Sequence, residues 1–232
     1  MEQAELQKRF ATLTCAHVAD ACVRLQLPVR TVSLTAVFPA RIAGRVLPAK
    51  HVGSTDIFLE AFESAEPGDV LVVDNEARRD EACAGDLVAA EAQAAGCSGL
   101  VLWGLHRDTV DIIAVGLPVY SLGAMPTGPL SLRPLPADAL ERATVSEWTV
   151  TRDDVVLGDE DGIAFVPADR LDEVFTLAEQ IRDTERHQSD LIKAGTTLRR
   201  QLDFAGYLAA RTERPGLTFR EHLRGIGGAI EE

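Results

Sequence analysis

The chain has 232 residues, enough for one large domain or two small ones around a substantial core. It is 46% hydrophobic and 25% charged, a soluble globular composition, and its net charge of -13 argues against nucleic acid, which needs clustered Lys and Arg to neutralise phosphates. No apolar run approaches the roughly 20 residues of a membrane span, and MEQAELQKRF lacks the apolar stretch of a secretory signal, so a cytoplasmic location is expected.

In chain order, Leu6, Phe10, Leu13, Val18, Ala21, Cys22 and Leu25 fall at helical spacing over residues 3–26, with a break near Thr12 and Thr14. Pro28 ends that helical region. Two strand-like runs follow, TVSLTAVF and RIAGRVLPA, separated at Pro39. TDIFLEAFESA is an amphipathic helix with Thr55 or Ser54 as its cap. After the Pro67-Gly68 turn, Val70 to Val73 is unbroken apolar, as in a strand covered on both faces.

The stretch from Gly85 to Gly123 reads helix, strand, polar crossing, helix, strand. The first helix, 86–95, stops at Gly96 and the second, 108–114, at Gly116. Successive strand-helix-strand units imply right-handed crossovers between neighbouring parallel strands, hence an α/β fold. The Pro-rich span AMPTGPLSLRPLPADAL is a long surface connection. ATVSEWTV and DDVVLGDEDGIAFVP read as three short β segments. A long helix over 168–193 follows Pro167 and ends at Gly195, and Thr196 caps a last helix to about Ala210. There is no internal repeat. Cys15, Cys22, Cys83 and Cys97 form no CxxC pair and no metal-ligand spacing, so they read as reduced, buried thiols.

Several residues could carry chemistry. Gly85-Asp86 opens a helix, where the amides of Leu87 and Val88 could receive an anion; the commoner role for such an aspartate is a helix cap. Arg107-Asp108 follows a strand end, the edge where open α/β sheets hold ligands. Arg forks onto carboxylates and Asp is a hard ligand for a divalent cation, yet a surface Arg beside a capping Asp fits equally. His106 is an acid, a base, a ligand or a structural histidine, and Asp111 joins a metal shell or is a solvated helix residue. The acidic run Asp159 to Asp161 lacks the calcium-loop pattern and reads as a β-turn. GxGxxG, Walker A, HExxH and GxSxG are all absent.

The interval from Asp86 across twenty residues to Arg107-Asp108 resembles that of the RraA-like family, which includes class II pyruvate aldolases acting on 4-hydroxy-4-methyl-2-oxoglutarate and 4-carboxy-4-hydroxy-2-oxoadipate. The resemblance begins near Val18-Ala19-Asp20-Ala21 and runs through PGDVLVVD, GDLVAAEAQAAGCSGLVLWG, HRD, LPVYSLG and VVLGDEDGIAFVP to the long C-terminal helix. It implies a layered β/β/α core of the swivelling-domain type with a long C-terminal helix, as one domain over residues 1–210 and a tail over 211–232. It further implies trimers or paired trimers with sites at subunit boundaries.

By the same resemblance, Asp108 binds Mg²⁺ or Mn²⁺ largely through water, and Arg107 holds the pyruvyl portion of a 2-keto acid. Gly85 with the amides of Leu87 and Val88 receives the substrate carboxylate, and Asp86 orients metal-bound water. A neighbouring subunit adds an acidic residue, for which Glu185 is the candidate. The implied activity is a metal-dependent lyase, by aldol cleavage or oxaloacetate decarboxylation. The alternative is a regulator that binds ribonuclease E, as some family members do. A methyltransferase label in the family has no glycine-rich methyl-donor motif behind it here. The chemistry agrees with the residues: cleavage beside a 2-keto acid needs positive charge at a developing enolate oxygen. Lys8, Lys50 and Lys193 are the only lysines, and none lies in an apolar stretch where a Schiff-base lysine would sit. Trp103 and His106 depart from the family, which often has an acidic residue and a small or apolar one there.

Overall fold

The structure, a computed structural model, describes residues 1–130 and 132–226. The chain gathers into two compact units, Met1–Phe175 and Thr176–Glu232. The first unit opens with α1 (Gln3–Phe10) and α2 (Cys15–Arg24), divided where the sequence breaks. Thr14 ends that break with a capping box: its hydroxyl accepts from the His17 amide, and the His17 ring accepts from the Thr14 amide.

The strands are β1 (Arg30–Val32), β2 (Thr35–Ala36), β3 (Ile42–Lys50), β4 (Val70–Asp74), β5 (Ala82–Ala84), β6 (Gly99–Trp103), β7 (Leu105–His106), β8 (Val119–Ser121), β9 (Ala143–Val145), β10 (Trp148–Val150), β11 (Asp154–Asp159) and β12 (Gly162–Pro167). Between them lie α3 (Asp56–Glu63), α4 (Asp86–Ala94) and α5 (Thr109–Val115). Eight strands form one sheet in the order β1-β12-β11-β3-β4-β6-β8-β2. Its β3, β4, β6 and β8 are parallel, as the helix-bearing crossovers require.

β1 and β2 stand at opposite ends of that order, yet only Ser33 and Leu34 separate them. Three Cα steps reach at most about 11 Å, whereas seven strand spacings in a flat sheet span about 33 Å. The sheet is therefore curled into a half-barrel, and TVSLTAVF, expected as one strand, is the corner that joins its ends.

Alternation along the buried strands builds two cores. Leu71 and Val73 of β4 and Leu100 and Leu102 of β6 face α3, α4 and α5, packing on Ile57, Phe58, Val88, Ala89 and Ile112. Val70, Val72 and Val101 face the other way, toward Val145, Val150, Val156, Ile163 and Phe165. This is the layered β/β/α arrangement expected, and it explains why β4 has no polar alternation. The region 143–167 holds four strands rather than the three expected, because Ser146, at φ 57°, and Glu147 turn β9 into β10. Asp159 to Gly162 closes β11 onto β12 as the expected turn. All four cysteines are free and buried.

The long helix α6 (Leu171–Lys193) starts in the first unit and ends before Gly195. The single last helix expected from Thr196 to Ala210 is instead α7 (Leu198–Gln201) and α8 (Phe204–Glu213). They part at Asp203, whose backbone is left-handed at φ 44° and whose carboxylate caps α8 at the Gly206 amide. α9 (Phe219–Ile226) follows, with Leu223 buried and Phe219 edge-on to Phe204. Of the expected tail over 211–232, residues 227–232 lie outside the described residues, as does Ser131 of the Pro-rich connection. Among the described residues no helix is long and apolar enough to cross a membrane.

Candidate active site

Each of the main parallel strands β4 and β6 is followed in the chain by a short second strand, β5 and β7. These pair with each other in parallel, Ala82 with Leu105 and Ala84 with His106. The Arg107 amide extends the pairing by donating to the Ala84 carbonyl at 3.0 Å. Gly85-Asp86 and Arg107-Asp108 therefore leave the sheet side by side. The interval between them in sequence is the crossover from β5 through α4 and β6 to β7.

Gly85, Asp86, Leu87, Val88, Arg107 and Asp108 line one open cavity of about 110 Å³, walled by Thr55, Ala82 and Pro129. A larger cavity of about 360 Å³, beside Arg45 and Asp69, holds none of the expected site residues. The chemistry of the donors, not the volume, marks the smaller one as the candidate site.

Neither aspartate acts as a helix cap. Gly85 occupies the N-cap of α4 and Asp86 is the first helical residue. The first intrahelical bond runs from the Ala89 amide to the Gly85 carbonyl, so the amides of Asp86, Leu87 and Val88 have no helical acceptor. Asp108 does sit at the N-cap of α5, but in a left-handed backbone at φ 57° and ψ 41°, and its side chain makes no cap bond. Its carboxylate instead lies over Gly85: a methyl group there would meet Asp108 Oδ2 at 2.4 Å and Arg107 Cγ at 3.2 Å. Arg107 Nε pairs with Asp108 Oδ2 at 3.2 Å, both side chains being well exposed. Such a pair contributes at most about 1 kcal/mol and leaves the carboxylate available to a ligand.

The donor set fits a hard, hydrated cation. Among the described residues no three His, Cys, Asp or Glu side chains gather into a protein cage. One or two carboxylates at an open cavity, with water completing the shell, is how Mg²⁺-like ions are commonly held.

His106 is 5% exposed and does not line the cavity. Its Nδ1 is 2.7 Å from Ser121 Oγ and its Nε2 is 3.0 Å from Thr109 Oγ1. Burial lowers its pKa below the ordinary 6.5, opposed by a hydrogen bond at the Gly123 backbone, and its two hydroxyl partners build the ring into the structure. Trp103 packs on the second core rather than on the cavity. Asp111 is exposed on α5, and Glu185 is exposed on α6; neither lines the cavity. Thr55, expected as the cap of α3, has a helical backbone and makes no cap bond, and its place is in the cavity wall. Pro129 and Gly128 were not foreseen near the site. A Cβ on Gly128 would stand 2.6 Å from Arg107 Nη1, so the Pro-rich connection passes directly against the guanidinium.

Known proteins resemble this chain over the region that holds the cavity. The family described as RraA-like, Aldolase/RraA, matches residues 15–165, which contain every cavity residue. A Halalkalibacterium halodurans protein, provisionally named a 4-hydroxy-4-methyl-2-oxoglutarate aldolase, is 27% identical over 187 residues, 78% of this chain and 86% of that one. Legionella pneumophila DlpA is 31% identical over 130 residues, 56% of this chain but only 21% of DlpA, so the chain spans about a fifth of that relative. Among solved structures, an uncharacterised protein from Pseudomonas syringae pv. tomato superposes with a TM-score of 0.73 at 23% identity, covering 85% of this chain and 96% of that one. Streptomyces coelicolor RraAS2, described as an unusual member of the RNase ES inhibitor RraA protein family, gives 0.68 at 22% identity, covering 79% and 94%. These two show the shared fold. With the profile spanning more than half of its length, the chain belongs to the RraA-like (Aldolase/RraA) family.

Proposed function

We propose that this protein is a divalent-metal-dependent lyase that breaks a carbon–carbon bond of a 2-keto acid, by aldol cleavage of a 4-hydroxy-2-keto acid or by decarboxylation of oxaloacetate. The observation that supports this reading is the β5–β7 pairing, which brings the first turn of α4, the Arg107 guanidinium and the exposed Asp108 carboxylate to one cavity. The aldolase name of the relative aligned over most of both chains supports it.

The amides of Leu87 and Val88, which have no helical acceptor and lie at the positive end of α4, receive the carboxylate of the pyruvyl portion. Arg107 donates to the keto oxygen and faces the charge that develops there. Asp108 would hold Mg²⁺ or Mn²⁺, and such a cation would supply positive charge that stabilises the developing enolate. In the aldol reaction the 4-hydroxyl proton passes to Asp86 or to a water that it orients. The electron pair of the C3–C4 bond moves into the pyruvyl enolate, and protonation at C3 gives pyruvate. In the decarboxylation the same electron pair is left behind as carbon dioxide departs, so no hydroxyl proton has to be removed.

The working assembly in this reading is a homotrimer or a pair of trimers. Leu87 of the cavity lining and Val110 on α5 are 79% and 77% exposed, apolar surface that a second copy of the chain would cover. Light scattering on the purified protein reads the assembly directly.

The decisive assay follows pyruvate release from oxaloacetate and from 4-hydroxy-4-methyl-2-oxoglutarate, with Mg²⁺ and with chelator. The proposal expects metal-dependent release from at least one of them, reduced at least about hundredfold in Arg107→Ala and in Asp108→Ala. Inertness toward both substrates in the presence of metal overturns it.

A further inference from the structure

We infer that His106 is a positioning residue of this site, clamping the Arg107–Asp108 turn so that the Asp108 carboxylate stays over Gly85 instead of folding back to cap α5. The inference rests on the reading of the site as a metal-dependent lyase.

The ring is held from two directions. Nδ1 meets Ser121 Oγ at 2.7 Å, at the end of β8, and Nε2 meets Thr109 Oγ1 at 3.0 Å, on the first residue of α5. The backbone of His106 is equally fixed: its amide donates to the Gly123 carbonyl at 2.9 Å and its carbonyl accepts from Met125 at 2.8 Å. Ser121 is itself anchored, since its Oγ accepts from the Gly123 amide at 3.1 Å. The clamp therefore starts on a rigid strand end and finishes on Thr109. Arg107 and Asp108 are the two residues it spans.

What the clamp prevents follows from Asp108. A left-handed backbone is uncommon for any residue other than glycine. An aspartate at a helix N-cap ordinarily takes an extended backbone and turns its carboxylate onto the first turn of the helix. Here it does neither, with φ 57°, ψ 41° and no cap bond. With Thr109 released, Asp108 gains access to that ordinary capping state, and its carboxylate then leaves the cavity. Each ring nitrogen of His106 is engaged by one hydroxyl, so the side chain links Ser121 to Thr109. A small or apolar residue in its place holds neither. His106 does not touch the cavity and acts only through Thr109 and Asp108.

The test compares wild type with His106→Leu, Thr109→Val and Thr109→Ser. Mn²⁺ binding is read by electron paramagnetic resonance, and kcat and KM by pyruvate release from oxaloacetate. Losing a group that orients a metal-binding carboxylate reduces metal affinity or rate about 10- to 100-fold. A loss of that size in Mn²⁺ affinity and kcat is expected for His106→Leu and for Thr109→Val, with KM changed much less, because the cradle at Leu87 and Val88 is not clamped. Thr109→Ser restores the hydroxyl and the wild-type values. Thr109→Val added to His106→Leu has no further effect. Thr109→Val is near-isosteric at a half-buried position, so it carries the test if His106→Leu does not fold. Wild-type Mn²⁺ binding and kcat in a folded Thr109→Val protein overturn the inference while leaving the proposed function standing. A wild-type protein that neither binds Mn²⁺ nor releases pyruvate overturns both.

Discussion

Asp108 and Gly85 are in contact across the site: the space that a side chain on Gly85 would need is already filled by the Asp108 carboxylate, whose Oδ2 lies 2.4 Å from an added Cβ. Gly85 has φ -138° and ψ -160°, an extended conformation open to any residue, so backbone freedom is not what places glycine here. Gly85→Ala is expected to fold with a melting temperature within a few degrees of wild type, because the displaced atom is the mobile end of an exposed side chain. The displaced carboxylate is the one assigned to the cation, so Mn²⁺ affinity and metal-dependent rate are expected to fall at least about tenfold. A loss of stability with retained Mn²⁺ affinity contradicts this account.

How much of this was legible in the sequence follows from which residues needed only local rules. The continuous strands β4 and β6 and the termination of helices at Gly96 and Gly116 follow from local composition. The grouping of Asp86, Arg107 and Asp108 was legible through their spacing and the family resemblance; local rules alone favoured a cap for Asp86 and left Arg107-Asp108 even between a site and a surface pair. The choice between cap and site depends on dihedral angles that no motif encodes, those of Gly85 and Asp108. The corner at Ser33-Leu34 was hidden because Thr31, Val32 and Thr35 around it are strand formers, and only the pairing of β1 with β12 and β2 with β8 divides them. The partners of His106 were half visible. Thr109 is one helical turn away in sequence, whereas Ser121 comes within reach only through β8. The contact of Gly128 with Arg107 left no sequence signal beyond a glycine in a Pro-rich loop.

Burial pushes the thiols of Cys83 and Cys97 up from the ordinary value of 9.0 to about 12 and about 11, and it raises Cys15, with Asp159 adding to the effect, and Cys22. Two outcomes are expected. In the native protein at pH 8 an aromatic disulfide reagent leaves all four thiols unmodified, and denaturant releases all four. Above pH 9 the unfolded chain loses thiol protons that the folded chain keeps, so stability is full below 9 and declines as pH rises toward 11 and 12. Melting curves between pH 8 and 10.5 read that decline, and a quadruple Cys→Ser protein would not share its slope.

His51 predicts the opposite limb. It is 1% exposed, stacked on Phe58 with ring centroids 5.1 Å apart, and bonded through Nδ1 to Asn75 Oδ1 at 2.9 Å. Burial lowers its pKa below 6.5, against smaller upward pushes from Asn75 and Glu81. Below 6.5 the unfolded chain takes up a proton that the folded chain refuses, so stability falls as pH drops through that value. The slope is at most about 1.4 kcal/mol per pH unit for one histidine. Urea unfolding between pH 7.5 and 5.5 should show the fall. His51→Gln should reduce it without abolishing it, since His106 is displaced in the same direction. An unchanged slope in His51→Gln removes His51 from the explanation.

Glu81 is the anchor for the wall that the Pro-rich connection supplies. It is 0% exposed; Oε2 accepts from the Leu130 amide at 2.7 Å, and Arg78 Nη1 stands 2.9 Å from Oε1 as an ion pair off the hydrogen-bonding direction. One residue further, the Ala82 amide donates to the Thr127 carbonyl at 2.7 Å. Thr127 and Leu130 are thus both tied to the segment leading into β5, and between them Gly128 abuts Arg107 and Pro129 lines the cavity. Glu81→Gln keeps the shape and an acceptor for Leu130, but it removes the charge that faces Arg78 and turns an amide donor toward a guanidinium. The expected loss is about 1–3 kcal/mol of stability, the usual cost of leaving a buried polar group without a partner. Arg78 keeps Asp80 at 2.9 Å, which limits the damage on that side. With Pro129 loosened and Arg107 and Asp108 still in place, KM for the 2-keto acid should rise severalfold while kcat changes less. If chemical denaturation and KM are both unaffected in Glu81→Gln, the connection is held by its own turns and the wall does not depend on this carboxylate.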